Sequence, residues 1–196
     1  MVDKSEIWLR TDEAEDVAGS VRHAIRCLEL VETDPQAWKW FVIAVHSALQ
    51  GACVCHLVTT ATPVGVVNDR QASNWLNFIQ LKSAGASIPT PKTHLLPFNE
   101  LLSRIRASRS DGNRSIESGI LISDSEYEWL KRFNDGIRNQ FAHFEPMAWS
   151  VEVSGLPEIG TLVSRIVIDI LAAGWAFRHK PQHWRDNLLL DLKRFA

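Results

Sequence analysis

Apolar residues recur every three or four positions over several long stretches of the chain, which predicts amphipathic α-helices. The first such stretch, residues 12–33, opens on an acidic cluster that suits the positive end of a helix dipole. The pair Asp34-Pro35 then ends this helix, and Pro35 is well placed as the first residue of the next one. That second helix is predicted to run from Pro35 to Leu57. It is apolar almost all round, which is typical of a helix at the centre of a bundle.

Two more long helices are predicted in the second half of the chain. One begins at Asp124, which can act as its N-cap, and its apolar stripe consists of Leu130, Phe133, Ile137 and Phe141. The other begins at Gly155 and runs to about Arg178, with apolar residues on one side. A tail over residues 181–196 carries a final short helix. These four long helices predict an all-α fold, an up-and-down bundle with short extra helices.

Residues 83–123 interrupt the helical pattern, because Gly, Pro, Ser and Thr are frequent there. Within this stretch only residues 97–107 look helical, and a further short helix is expected over residues 75–81. An irregular excursion of this length is either a functional loop or partly disordered. We therefore expect a single helical domain over residues 1–196 with an irregular insertion at about 83–123.

Composition gives no global sign of a nucleic-acid-binding protein, since the formal net charge of the 196-residue chain is −2. The three cysteines have no zinc-ligand or disulfide-framework spacing, which favours buried reduced thiols. The first residues lack the features of a signal peptide, and we expect a cytoplasmic protein. Residues 42–68 contain no charged side chain, yet His, Gln, Ser and Thr interrupt them. A core helix explains this segment better than a membrane span.

The most informative stretch lies at the end of the helix that begins at Asp124, where Arg138 and Asn139 are followed by His143. Histidine titrates near neutral pH and can act as a general acid or base. Arginine offers a fixed positive fork for a phosphate. These two side chains are the pair that RNA cleavage without a metal ion requires.

The spacing of this pair sets a geometric constraint. Five residues of an ideal helix correspond to a rotation of about 140° and a rise of roughly 7.5 Å. Arg138 and His143 therefore do not converge on a straight helix. Either the helix frays so that His143 swings round, or a second copy of the chain supplies the missing partner. Asn139 and His143, four residues apart, share a face on which Asn139 could orient the imidazole, and Asp135 extends the same polar stripe.

An ordinary structural role would also explain these residues. A histidine in the last turn of a helix stabilises the exposed carbonyl groups there. Arg138 and Asp135 are three residues apart and could form an ion pair on the surface. The bare spacing of Arg138 and His143 is therefore a weak signal by itself.

The arrangement resembles the Arg-x4-6-His signature of the HEPN superfamily, in which a polar residue, often Asn, directly follows the Arg. The resemblance covers only the motif helix and its exit. It implies a helical bundle that acts as a metal-independent endoribonuclease and leaves a 2′,3′-cyclic phosphate, with no cofactor. Arg138 would bind the scissile phosphate, His143 would act as general acid or base, and Asn139 would orient them. The family also implies a homodimer whose two motifs face each other.

Many HEPN proteins are toxins or defence factors, so a role of that kind and an antitoxin partner are further expectations of the resemblance. In the toxins that a nucleotidyltransferase silences, a Tyr lies two residues after the His. Here that position is Glu145, which argues against this type of regulation. The alternative function is a non-catalytic HEPN-like module that binds a protein partner or a nucleotide.

Three weaker candidates complete the set. The excursion contains a local group of arginines that could contact an RNA backbone or simply be solvated: Arg104, Arg106, Arg109 and Arg114. His46 on the central helix could pair with Gln50 in the core or support the motif from beneath. His179 and His183 have a spacing seen in metal sites, but Pro181 lies between them and no third ligand is in view, so no metal is expected.

Overall fold

The computed structural model describes residues 8–58, 62–107, 119–143 and 148–195, and the backbone alone of residues 109–111 and 114–116. All structural statements below concern these residues. Within them the protein is almost entirely helical, and the all-α fold class predicted from the sequence is confirmed.

The first two helices form where the apolar pattern predicted them. α1 spans Glu13–Leu30, and the Asp12 carboxylate caps it by accepting a hydrogen bond of 2.9 Å from the Glu15 backbone N–H. α2 spans Ala37–Leu57, and thirteen of its 21 residues are buried. Such extensive burial agrees with the predicted position of α2 at the centre of the bundle.

The segment between α2 and the predicted excursion is more helical than the sequence indicated. A 3-10 turn spans Pro63–Val66, and α3 spans Asp69–Ser83, although a helix was expected only over residues 75–81. The missed signal is Asn68, whose side chain caps α3 by accepting from the Gln71 backbone N–H at 3.0 Å. No residue of α3 is fully buried.

The predicted excursion contains a core helix and a small hairpin. α4 spans Phe98–Arg106, close to the helix expected over residues 97–107. Its apolar residues belong to the common core: Phe98, Leu101, Leu102 and Ile105. Strands β1, Arg109–Asp111, and β2, Arg114–Ile116, pair in antiparallel register.

The helix that carries the motif is built from three consecutive pieces. α5 spans Asp124–Arg132, a π-helical segment spans Phe133–Arg138, and α6 spans Asn139–Ala142. We call this continuous element the motif helix. Its N-cap is Ser123, which forms a reciprocal capping box with Glu126. The expectation that Asp124 is the N-cap was wrong by one residue.

Two helices complete the chain. α7 spans Leu156–Ala172 and is shorter than the predicted helix, which extended to about Arg178. The chain turns at Gly174, whose φ of +75° favours glycine. α8 spans Gln182–Leu192 and a 3-10 turn spans Lys193–Phe195, which confirms the short helix expected in the tail.

α2 is the helix around which the others pack. It contacts α1 along its length and also α4, α7 and the π-helical segment of the motif helix. By length and composition, α2 is also the one helix in the described part of the chain that could cross a membrane. Because 72% of the apolar window of α2 is buried inside the protein, a core helix explains the same length and composition.

The contact between α1 and α2 depends on a glycine. A Cβ atom added at Gly51 would lie 2.7 Å from Cγ2 of Val17, which is fully buried. Gly19, on α1, has open space where its Cβ would be. Both glycines lie inside helices, where alanine is intrinsically favoured by about 1 kcal/mol.

We predict that these two glycines respond to alanine with opposite signs. Gly19→Ala should raise the free energy of unfolding by about 0.5–1 kcal/mol through helix propensity alone. Gly51→Ala should lower it by about 1 kcal/mol, because overpacking against a stiff valine outweighs the same gain. Urea unfolding of the two variants checks this. Stabilisation by Gly51→Ala would mean that α1 and α2 pack less closely than described.

Candidate functional site

The three motif residues lie where the motif helix ends. Arg138 is the last residue of the π-helical segment and Asn139 the first of α6, and both side chains are half-buried. His143 follows α6 with φ −116° and ψ 103°, which is extended backbone, and its side chain is exposed. Its backbone N–H still bonds to the Asn139 carbonyl oxygen at 2.8 Å. The helix therefore stops at His143, and the convergence of its imidazole with Arg138 stays a prediction.

Arg138 and Asn139 are joined directly. Nη1 of Arg138 donates a hydrogen bond of 2.9 Å to Oδ1 of Asn139. The carboxamide oxygen of Asn139 thus contacts the guanidinium group, whereas the sequence suggested that Asn139 orients the His143 imidazole. Glu145, which stands where the silenced toxins have a Tyr, lies outside the described residues.

The π-helical segment was not expected from the sequence. The Asn139 backbone N–H bonds to the carbonyl oxygen of Asn134, five residues back, where an α-helix would use Asp135. One additional residue in a helical turn offsets all later side chains by about 100°. The available signal was the run Asn134-Asp135-Gly136, three poor helix formers in the middle of a helical pattern.

A polar network lies beneath the π-helical segment. His46 Nε2 on α2 is 2.9 Å from Oδ1 of Asn134, and both residues are buried. Nδ2 of Asn134 donates to Oδ1 of Asp135 at 2.7 Å, and Nδ2 of Asn99 on α4 donates to the other Asp135 oxygen at 3.3 Å. The Tyr127 hydroxyl donates to the Asn99 carbonyl oxygen at 3.0 Å. The network joins α2, α4 and the motif helix through two of the predicted supporting residues, His46 and Asp135.

The network fixes the proton on His46. Because Asn134 uses its NH₂ group towards Asp135, its oxygen faces His46 and can only accept, so the hydrogen lies on Nε2 of His46. Burial lowers the pKa of His46 to about 4, the positive charge of Arg138 acts in the same direction, and the bond to Asn134 opposes them. His46 is therefore neutral at pH 7. Its partner is Asn134 on the motif helix, and not the Gln50 considered from the sequence.

Two of the four candidate RNA-binding arginines have structural contacts within the chain. Nη1 of Arg104 donates to the carbonyl oxygens of Gly65 and Val67 at 3.1 and 3.2 Å. These bonds hold the 3-10 turn before α3 against α4.

Arg106 ties α4 to the start of the motif helix. Its Nε donates to the Ile122 carbonyl oxygen at 2.9 Å, and its Nη2 pairs with Asp124 at 2.6 Å. Its guanidinium carbon also lies 4.8 Å from the centre of the Tyr127 ring. For Arg109 and Arg114 the structure describes only the backbone of the hairpin, so a contact of either side chain with RNA stays a prediction.

An exposed indole lies beside the end of the motif helix. The rings of Phe141 and Trp149 meet edge to face with centroids 4.8 Å apart, and Trp149 is 41% exposed. An aromatic ring in this position can stack on an unpaired base.

Other polar groups lie apart from the motif. A groove of about 1020 Å³ runs between α1 and α2, and its lining includes Asp16, His23 and Trp40 but no motif residue. Burial raises the pKa of the Cys55 thiol to about 12, which leaves it protonated and unreactive at neutral pH. Among the described residues, no group of three or more His, Cys, Asp or Glu side chains could hold a metal ion.

Comparisons of the chain with protein-family models, with curated proteins and with solved structures gave no match.

We predict that His46 makes folding stability depend on pH. The pKa of this group is about 4 in the folded chain and 6.5 in the unfolded one. Between these pH values the unfolded chain binds more protons, so stability falls as the pH is lowered. The loss from pH 7 to pH 4 should be roughly 3 kcal/mol for this group alone.

Comparison of the parent with His46→Gln isolates this contribution. Gln can donate to Asn134 without titrating, so the variant should lose less stability than the parent over the same pH range. His183→Gln, the same substitution at an exposed histidine on α8, is the matched control. Parallel stability curves for the parent and His46→Gln would contradict a buried neutral His46.

Proposed function

We propose that this protein is a metal-independent endoribonuclease of HEPN type. The observation that carries the proposal is the end of the motif helix. There a half-buried Arg138 is held by Asn139, and the chain leaves the helix at an exposed His143. A cation held by its neighbour and an accessible imidazole five residues later suit a phosphodiester substrate.

The proposed reaction needs only these groups and the RNA. The 2′-hydroxyl oxygen forms a bond to the adjacent phosphorus, the bond to the 5′-oxygen breaks, and a 2′,3′-cyclic phosphate remains. His143 moves a proton, either from the 2′-hydroxyl group or to the leaving 5′-oxygen. The Arg138 guanidinium stabilises the additional negative charge on the phosphorane oxygens. Asn139 limits the rotamers of Arg138 through their hydrogen bond.

A two-fold homodimer with both motifs at its interface forms part of the proposal. A single chain presents one exposed imidazole in the motif, whereas this cleavage uses one group to remove a proton and another to supply one. A second copy would provide the second His143. Trp149 would then lie at the edge of the shared groove, where a base could stack on it.

The biological setting follows from the resemblance alone. We propose a four-helix HEPN-type bundle that acts on RNA in the cytoplasm. A toxin or defence role with an antitoxin partner would agree with the roles of many HEPN proteins.

The groove between α1 and α2 favours a second candidate function, a non-catalytic module that binds a protein partner. Trp40, 51% exposed, and Leu9, 88% exposed, contribute apolar surface to this groove. Exposed apolar patches of this kind mark interaction sites. An inactive protein with an intact fold would favour this second function.

We predict that the purified protein cleaves single-stranded RNA in excess chelator and that His143→Ala lowers the rate by about 10²–10⁴-fold. Because His143 is exposed, the substitution should leave thermal unfolding nearly unchanged. The matched control is His183→Ala, an exposed histidine on α8, which should cleave like the parent. Equal rates for the parent and His143→Ala, or no cleavage by either, would refute the proposal.

We predict that light scattering at micromolar concentration finds a dimer. Ala142→Glu places a charge on the exposed end of the motif helix and should shift the population to monomer while the fold is kept. Gln36→Glu, also exposed but before α2, should leave the dimer intact. A monomeric parent, or a dimer that Ala142→Glu does not weaken, would contradict an interface at the motif.

A further inference from the structure

We propose that His46 and Asn134 are positioning residues for the motif: their buried hydrogen bond holds the π-helical segment and thereby sets the direction in which Arg138 and Asn139 project. The inference rests on the proposed function for its consequence in catalysis. The geometric part stands on the contacts alone.

The π-helical segment needs a contact that stabilises it. An α-helix is the more favourable continuation for most sequences, and π-helical turns are rare and concentrate at functional sites. Gly136 weakens the α-helical alternative because glycine is a poor helix former, and a Cβ atom added there would face open space. A glycine with nothing packed against it lowers the preference for an α-helix without itself selecting the π-helical turn.

The hydrogen bond between Asn134 and His46 is the contact that selects the π-helical turn. Asn134 is the residue whose carbonyl accepts the five-residue bond, and its side chain is also the one that reaches His46. In an α-helical continuation the two ends of the segment would rotate relative to each other, so the buried Asn134 amide could keep its partner on α2 only if Arg138 and α6 changed direction. A buried amide without a hydrogen-bond partner is costly. The bond between His46 and Asn134 therefore favours the π-helical register as long as α6 keeps its contacts with α2.

The register of the π-helical segment determines the direction of the Arg138 side chain. The one-residue offset turns every side chain after the segment by about 100° relative to a regular helix. Arg138, at the end of the segment, is then near enough to His46 for its positive charge to oppose protonation of that imidazole. Without the offset Arg138 would point to a different side of the helix. His46 thus acts through Asn134, without contact with the RNA.

The experiment compares the parent with two substitutions at His46. His46→Leu removes the hydrogen-bond donor and replaces the imidazole with an apolar group of similar size. His46→Gln retains an N–H donor at the position of Nε2. NMR couplings across hydrogen bonds report which carbonyl accepts from the Asn139 N–H. We expect Asn134 in the parent and in His46→Gln, and Asp135 in His46→Leu. Asn134→Ala removes the same bond from its other side and serves if His46→Leu does not fold.

RNA cleavage is the second readout. His46→Leu should lower kcat by about 100-fold with a much smaller change in KM, because a misplaced phosphate contact slows the chemistry more than it weakens binding. His46→Gln should recover most of kcat. Leu130→Ala is the control, since Leu130 is fully buried on the same helix but outside the network. It should lower stability and keep the Asn134 acceptor.

The outcomes separate this inference from the proposed function. A parent that cleaves no RNA refutes the proposed function, and the identity of the acceptor then decides the inference alone. An acceptor carbonyl that stays at position 134 in both His46→Leu and Asn134→Ala would overturn the inference. Undiminished cleavage by a variant that has changed to the Asp135 acceptor would overturn it as well.

Discussion

The hydrogen bond between His46 and Asn134 is the constraint on which the arrangement of the candidate site depends. It joins the most buried helix of the protein to the helix that carries the motif. Burial keeps His46 neutral, and Nε2 of the neutral imidazole donates to the Asn134 amide oxygen. Asn134 can reach His46 while its backbone supports a π-helical turn, and that turn determines where Arg138 lies. The position of Arg138 at the surface thus depends on the contact between His46 and Asn134 in the core.

The two arginines of α4 differ from Arg138 in the groups that they contact. Arg104 and Arg106 were candidates for contacts with RNA, yet their donors are directed to backbone carbonyl groups and carboxylates of the chain itself. These contacts hold the turn before α3 and the start of the motif helix. Arg138 differs because, in the part of the chain that the structure describes, its guanidinium group donates to a neutral side chain, Asn139. With a net charge of −2 on the chain, a cation presented locally matters more for phosphate binding than overall composition.

The sequence predicted the helices well where apolar periodicity was strong and failed where local capping or tertiary contacts decided. α1, α2 and α4 were recognised because each has apolar residues at helical spacing. The start of α3 was missed because its signal is one capping residue, Asn68. The candidate residues Arg138, Asn139 and His143 were found from chemistry and spacing. The relative directions of their side chains could not be predicted. The π-helical turn depends on a partner 88 positions earlier in the chain, which periodicity does not reveal.

The central claim is that Arg138 and His143 act on one phosphate, and the most direct measurement is a crystal structure with RNA bound. A short single-stranded RNA with 2′-O-methyl groups cannot be cleaved by attack of its 2′-oxygen and would remain intact in the crystal. The account predicts one phosphate within hydrogen-bond distance of the Arg138 guanidinium. A His143 nitrogen, from the same or the second copy, should lie about 3 Å from the 2′- or 5′-oxygen of that phosphate. RNA bound in the groove between α1 and α2, with Arg138 and His143 free of it, would contradict the account.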